Sequence, residues 1–302
     1  MTFSIVVPTL NPGQLWTAWI AAVKQQTCQP RSVLVIDSSS DDDTLLLSRA
    51  AGFEVCVIAR ADFNHGATRQ LAVERLIHDD FLVFLTQDAI LANAFALEKI
   101  VACFANPETG VVCGRQLPGL QAGHIESHAR LFNYPAISRK STLADCKQLG
   151  IRAAFNSNSF AAYRRKALMS VGGFPAHVIA SEDVYVAVKM LQHNWNVVYC
   201  ADAQVYHSHD YTMMQEFCRY FDIGVFHARE HWMAELLGRH EGEGLKFLKS
   251  EWRYLFKMAP YLIPVSLLRT VFKYLGYRLG KLEGFLPVFI KRRCSMQKSY
   301  WV

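Results

Sequence analysis

The 302-residue sequence contains no run approaching the roughly 18–20 apolar residues that a membrane-spanning helix needs. Its first apolar stretch begins at once, as Thr2-Phe-Ser-Ile-Val-Val-Pro8, with no basic segment ahead of it and too little length for a secretory leader. The eight cysteines (Cys28, Cys56, Cys103, Cys113, Cys146, Cys200, Cys218 and Cys294) include no CxxC pair and no zinc-like spacing. Charged residues make up only 19% against 51% hydrophobic ones, a balance that excludes a disordered chain and supports a sizeable core. There is no internal repeat, no low-complexity segment and no nucleic-acid-binding motif. These absences predict a folded cytoplasmic protein with buried, reduced thiols, neither exported nor integral to a membrane.

The first half alternates short β-rich runs with helical patterns. Strands are expected at Ser4–Pro8, Ser32–Asp37, Phe53–Ala59 and Phe81–Thr86, and helices near Leu15–Gln26, Thr44–Ala51 and Gly66–His78. Nearly continuous apolar strands separated by helices imply an α/β fold, a mostly parallel central sheet with helices on both faces. Ligands bind such sheets at the carboxyl ends of their strands. Asp37 and Asp88 follow two of those ends and share one rim. Gly114–Arg152 reads as a long irregular loop with some helix, Phe155–Arg164 and Asn196–Cys200 as strands, and Glu182–His193 as a helix after the Gly172-Gly-Phe-Pro175 turn.

The net charge of +6 is unevenly spread. Residues Arg239 to Val302 carry 13 Lys+Arg against 4 Asp+Glu, whereas the rest carries 19 against 22. From Thr212 onward the pattern is helical, and large apolar residues from Leu255 to Leu275 recur at helical spacing among Lys257, Arg269, Lys273, Arg278, Lys281 and Lys291-Arg-Arg293. Either this is a helical cap packed on the core, or a basic amphipathic surface that meets anionic lipid. The boundary is placed between residues 1–211 and 212–302.

Individually, the polar motifs have ordinary explanations. Asp88 in Thr86-Gln-Asp88 could be a turn residue or a ligand for Mg²⁺ or Mn²⁺. Ser181-Glu-Asp183 could be an N-cap with acids favoured by the helix dipole, or a catalytic pair. His207 and His209, two residues apart after a strand, point the same way; one of them could ligate a metal, or both could be surface loop histidines. Asn64-His-Gly-Ala-Thr-Arg69 puts an arginine at a helix start, where an anion could bind.

Taken in order, Ile5–Asn11, Val35-Ile-Asp37, Asn64–Arg69, Phe84–Asp88, Gly172–Pro175 with Glu182-Asp183, and His207 resemble glycosyltransferase family 2 over about residues 3–210. The resemblance implies a GT-A (Rossmann-like) fold and an inverting sugar transfer. By position it implies that Pro8, Thr9 and Asn11 line a nucleotide pocket and that Asp37 accepts hydrogen bonds from the base. His65, Arg69, Thr86, Gln87 and Asp88 would contact the nucleotide sugar, Arg69 near base and phosphates. Asp88 and His207 would hold a divalent metal, Mg²⁺ or Mn²⁺, and Asp183 would be the general base with Glu182 as its helper. Asn156 and Asn158 are candidate acceptor contacts. Thr86 replaces the first acid of the family's Asp-x-Asp, which weakens the ribose contact or leaves it to the hydroxyl.

The Thr-Gln-Asp-Ala form, Phe63–Arg69, Val205–Tyr211 and Arg219–Gly224 are similar to bacterial rhamnosyltransferases. That implies a dTDP-L-rhamnose donor, a polyprenyl-diphosphate-linked saccharide acceptor of O-antigen or capsule type, and a cytoplasmic enzyme peripheral to the inner membrane. A UDP-sugar donor (GlcNAc or galactofuranose) and a catalytically silent nucleotide-sugar-binding scaffold are the competing readings. A homodimer is allowed, and no nucleic-acid partner is expected.

Overall fold

The computed structural model describes residues 2–209, 211–238 and 242–301. Arg239 and Val302, the ends of the basic stretch, and Asp210, inside the Val205–Tyr211 run, lie outside the described residues. The chain begins β1 (Phe3–Thr9), α1 (Leu15–Lys24), β2 (Val33–Asp37), α2 (Thr44–Ala50), β3 (Glu54–Val57), α3 (His65–Arg75) and β4 (Phe81–Leu85). It continues β5 (Ile90–Leu91), α4 (Ala96–Ala102), β6 (Thr109–Leu117), α5 (His124–Asn133), β7 (Arg139–Ser141), α6 (Cys146–Leu149), β8 (Phe160–Arg164), α7 (Arg165–Ser170), α8 (Glu182–Gln192) and β9 (Asn196–Tyr206). Helices α9 (Met213–Arg229), α10 (Trp232–Leu237), α11 (Glu243–Met258), α12 (Ile263–Lys281) and α13 (Val288–Cys294) complete it.

The sheet runs β3-β2-β1-β4-β8-β6-β9-β5, with β7 added beside β9. Strands β1 to β4 are mutually parallel, as expected. Beyond them the sheet is mixed: β8 is antiparallel to both β4 and β6, β9 is parallel to β6, and β5 and β7 are antiparallel to β9. The parallel part is thus confined to the β-α-β half, where each connection is long enough for a crossover helix. Because successive strand residues face opposite sides, the sheet separates two cores. Val6, Leu34, Ile36, Leu82 and Phe84 meet α3 and α8 on one face. Ile5, Val7, Val33, Val35 and Val83 meet Trp16, Trp19, Leu97 and Ile100 on the other.

Two expectations change. The stretch 114–152 is more regular than its Gly, Pro and His content suggests: β6 runs through Gly114 to Leu117, followed by α5 and β7. Strand β9 does not stop at Cys200 but extends to Tyr206, passing an irregularity in its pairing with β6 between Gly114 and Arg115. That extension carries His207 to the rim.

The C-terminal helices share the first core. Phe221, Val225, Phe226, Met233, Leu237 and Trp301 belong to the same apolar cluster as Leu82 and Phe84. Helices α9 and α12 approach closely enough that a Cβ on Gly280 would lie 2.1 Å from the carbonyl oxygen of Phe221. Glu216 on α9 ties to Arg269 and Lys273 on α12 at 3.5 and 3.1 Å. Arg269, Lys273 and Lys291 of the tail are therefore internally paired, since Lys291 also meets Glu283 at 2.7 Å. Among the described residues, no helix is long and apolar enough to cross a membrane.

Candidate active site

At the carboxyl rim, one carboxylate and two imidazoles converge. Asp88 Oδ1 lies 3.4 Å from His207 Nε2, and Asp88 Oδ2 lies 3.4 Å from His209 Nδ1. The ligand-capable atoms of these three side chains fall within 4.8 Å of one another. The pairing Ile90↔Tyr206 and Leu91↔Val205 between β5 and β9 brings the residue just before β5 to the residues just after β9. Trp19 anchors the same turn by donating from Nε1 to the Thr86 carbonyl at 3.2 Å, while its ring stacks on Trp16. The Thr86 hydroxyl is buried beside the Asp88 carboxylate. Burial works against the charge on Asp88, but His207, Thr86 and His209 together hold its carboxyl well below the usual carboxylate range. Burial, then the neighbouring His207, pushes His209 down to about 4 against the pull of Asp88, so its ring is neutral at pH 7.

The His207 tautomer follows from its other partner. Arg130 Nη1 donates to Gln116 Oε1 at 2.8 Å, and His207 Nδ1 lies 2.8 Å from that same oxygen. An arginine only donates, so the shared atom is the amide oxygen and Nδ1 must donate to it. In a neutral ring Nε2 then carries a lone pair, and this buried atom has no hydrogen-bond partner although it faces a carboxylate. A carboxylate oxygen and an unpaired imidazole nitrogen turned toward each other suit a shared cation, and the donor set of one carboxylate and two imidazoles fits a divalent metal.

A pair of carboxylates, Glu182 and Asp183, opens α8. Its flanking Ser181 occupies the N-cap position in the left-handed region (φ 62°), and its side chain makes no capping bond. The capping role expected of Ser181 is therefore not taken up. Glu182 is buried, with Oε1 3.1 Å from Arg69 Nη1 and accepting from Asn158 Nδ2 at 2.9 Å. Asp183 is partly exposed; it accepts from the backbone N–H of Asn158 at 3.0 Å and of Val184 at 2.8 Å. Burial and then the charge of Glu182 push Asp183 up to about 7, beyond what those two N–H groups and Arg69 pull back. Arg69, His65 and Asn158 hold Glu182 low despite its burial. The two acids thus divide: Glu182 remains ionised while Asp183 is poised near neutrality, the range in which a general base is most effective.

Several expected contacts lie elsewhere. Asn156 and Asn158 are 6% and 2% exposed, too buried to meet an acceptor sugar. Asn156 Nδ2 donates to Tyr163 Oη (2.6 Å) and to the Asp183 carbonyl, and Tyr163 Oη donates to Asn158 Oδ1 (2.7 Å). They hold the acid pair instead. Arg69, 4% exposed, turns inward to Glu182 and to the His65 carbonyl (2.9 Å) rather than outward to base or phosphate. His65 likewise points to Arg69 and to Gln297. On the rim, Gln87 brackets the Leu10 backbone, accepting from its N–H at 2.7 Å and donating to its carbonyl at 3.1 Å. Asp37 is fully buried and takes hydrogen bonds from Thr9 Oγ1, the Ser40 N–H and Ser40 Oγ, so it organises the loops beneath Pro8 and Asn11. Asn11, at φ 47°, accepts from the Asp41 N–H across the same rim.

The model of the family described as Glycosyl transferase family 2 matches residues 4–172, more than half of the chain. This chain belongs to that family. It is a glycosyltransferase. The chain is 48% identical over 302 residues to the O-antigen chain rhamnosyltransferase RfbN of Salmonella typhimurium, covering 100% of this chain and 96% of that protein. It is 47% identical over 301 residues to the O-antigen chain rhamnosyltransferase WbaN of Salmonella anatum, covering 99% and 96%. Among solved structures it resembles the mannosyltransferase PcManGT of Pyrobaculum calidifontis in complex with GDP-Man and Mn²⁺ (TM-score 0.57, 18% identity, 99% of this chain and 84% of that one). It also resembles S. aureus TarS 1–349 in complex with UDP-GlcNAc (TM-score 0.53, 16% identity, 94% and 91%). Those two likenesses establish the shared fold.

Three residues of this family-2 site were not among the sequence candidates. His209 was noted beside His207 but not assigned a ligand role; its i, i+2 spacing was the available signal. Gln116 and Arg130 gave none, because Gln116 comes from β6, a strand whose end was read as loop. Gln116 sets the His207 tautomer, so Gln116→Leu should weaken divalent-metal binding by about 10–100-fold, as loss of such supporting groups does. Titration with Mn²⁺ followed by electron paramagnetic resonance measures this; unchanged affinity would mean that Gln116 does not orient His207.

Proposed function

We propose that this enzyme transfers L-rhamnose from dTDP-L-rhamnose to a hydroxyl of an O-antigen-type saccharide carried on a polyprenyl diphosphate. The observation that carries this reading is the 48% and 47% identity, over nearly full length, to two proteins named as O-antigen chain rhamnosyltransferases. In this reading Pro8 and Asn11 form the nucleotide end of the pocket, held from beneath by Thr9 and Asp37, and Asp88, His207 and His209 hold Mg²⁺ or Mn²⁺. The bound cation would neutralise charge developing on the leaving diphosphate.

Asp183 is the general base. Its carboxylate takes the proton of the acceptor hydroxyl, the freed oxygen attacks the anomeric carbon from the face opposite the diphosphate, and the bond to the phosphate oxygen breaks. Glu182 acts through Asp183: its fixed negative charge raises the neighbour's proton affinity. Asp183→Asn should lower transfer by about 10²–10⁴-fold while leaving calorimetric nucleotide binding intact. Since the basic form is required and Asp183 is raised to about 7, kcat/KM should rise with pH through about 7 in wild type. Loss of nucleotide binding in Asp183→Asn, or a flat profile from pH 6 to 8, would contradict the assignment.

The lipid-carried acceptor calls for a membrane contact, which we place on the C-terminal helices. Phe256, Tyr261, Phe285 and Phe289 are 72–88% exposed, and Arg253, Lys257, Arg278, Lys281, Arg292 and Arg293 are exposed among them. Exposed apolar and cationic groups side by side in the sequence of these helices suit the inner face of an anionic bilayer. The protein should sediment with phosphatidylglycerol vesicles at low salt, more weakly at high salt, and less in a Phe285→Ser/Phe289→Ser variant. Sedimentation indifferent to both salt and the two phenylalanines would refute a membrane role for this surface.

A further inference from the structure

The acid pair is linked to the far C-terminus by a continuous chain of polar contacts. The Asp183 carboxylate is bonded by the Asn158 N–H, the Asn158 amide by Glu182, and Glu182 by Arg69. Arg69 Nη1 also lies 3.4 Å from His65 Nδ1, and His65 Nε2 lies 3.0 Å from the side-chain amide of Gln297. Arginine only donates, so a bond across this contact takes the His65 Nδ1 lone pair and leaves the ring proton on Nε2. With the proton there, the Gln297 amide meets His65 with its oxygen, the flipped form of the Gln297 Nε2 contact. Burial and the adjacent Arg69 keep His65 from charging, although Glu182 pulls the other way.

The backbone around this chain is closely fitted. A Cβ on Gly66 would come within 1.8 Å of the Pro175 carbonyl oxygen, so α3 abuts the loop leading to the acid pair. Asn64 Nδ2 bonds the Ala176 carbonyl in that loop (3.1 Å), and Tyr300 Oη donates to the His177 carbonyl at 2.9 Å. The C-terminal segment is itself pinned: Asp222 accepts from the Met296 N–H at 2.9 Å, and Trp301 is buried in the core.

We infer that Gln297 is a positioning residue for the transfer reaction, fixing His65 so that Arg69 is held against Glu182 and the acid pair keeps its geometry. This rests on Asp183 being the base. The groups that bear electrostatically on Asp183 are Glu182 on α8, Arg69 on α3, Tyr163 on β8, Cys113 on β6 and Tyr134 after α5. Of these, Arg69 is the cation. Loosening it leaves the Glu182 charge less compensated and raises the proton affinity of Asp183.

The test uses Gln297→Met in the full chain, which keeps the side chain's length and removes its amide. The variant should lose about 10- to 100-fold in kcat, as small misplacements of catalytic groups do, with donor KM unchanged. The acid limb of its kcat/KM profile should move to higher pH by at least about half a unit, a fraction of the roughly 1–3 units a nearby opposite charge is worth. Tyr300→Phe, which loses the bond to His177 but keeps Gln297, serves as the control. It should lower the melting temperature and leave the limb in place. An unmoved limb in Gln297→Met, whether or not its stability falls, overturns the inference, because a merely structural contact would behave that way. Transfer that persists in Asp183→Asn instead overturns the assignment of the base, which keeps the two failures distinct.

Discussion

A two-residue antiparallel ladder decides where the chemistry can occur. Ile90 and Leu91 pair with Tyr206 and Val205, and the Ala92 N–H extends the contact to the Gln204 carbonyl at 3.0 Å. Without this pairing, Asp88 at the end of one strand and His207 and His209 at the end of another would be separated by more than a hundred residues of chain and lack a common site. The irregularity in the β6–β9 pairing lets β9 continue past Cys200 far enough to meet β5. Gln116, on the neighbouring strand, then falls beside His207 and dictates which ring nitrogen is free.

The second constraint is the separation of two carboxylates by environment. Glu182 and Asp183 are consecutive, yet one is buried against Arg69 and the other faces the site with two backbone N–H donors. A buried ion pair gains little net stability, because desolvation offsets most of the attraction. Its value in the proposed reaction is a fixed negative charge next to the carboxylate assigned as the base. In the proposed reaction a cation held at the ends of β4 and β9 would meet the leaving diphosphate and the acid pair on α8 would take the proton, so the two tasks fall to different elements.

Much of this was legible in the sequence. The first four strands and their helices announced themselves by apolar runs and helical periodicity; Asp37, Asp88, Glu182, Asp183 and His207 were candidates by residue type and place, and their proposed roles came from the resemblance to family 2. What remained hidden depends on contacts across long sequence separations. A two-residue strand such as β5 has no pattern to detect. Arg69 looked like an anion receptor because it opens a helix; only the packing of α3 against α8 shows that its guanidinium is already committed to Glu182. Asn156 and Asn158 looked like acceptor contacts for a similar reason, and burial reassigns them. Gln297 is one glutamine in a basic tail, and nothing local marks it as a neighbour of His65.

The most direct test of the account is calorimetric titration of the purified protein with dTDP, UDP and GDP, with and without Mn²⁺, in wild type and Asp88→Ala. The account predicts that dTDP binds most tightly, that Mn²⁺ strengthens its binding, and that Asp88→Ala abolishes the strengthening. Metal-independent dTDP binding, identical in the two proteins, would contradict the metal–diphosphate site at the end of β4 and β9.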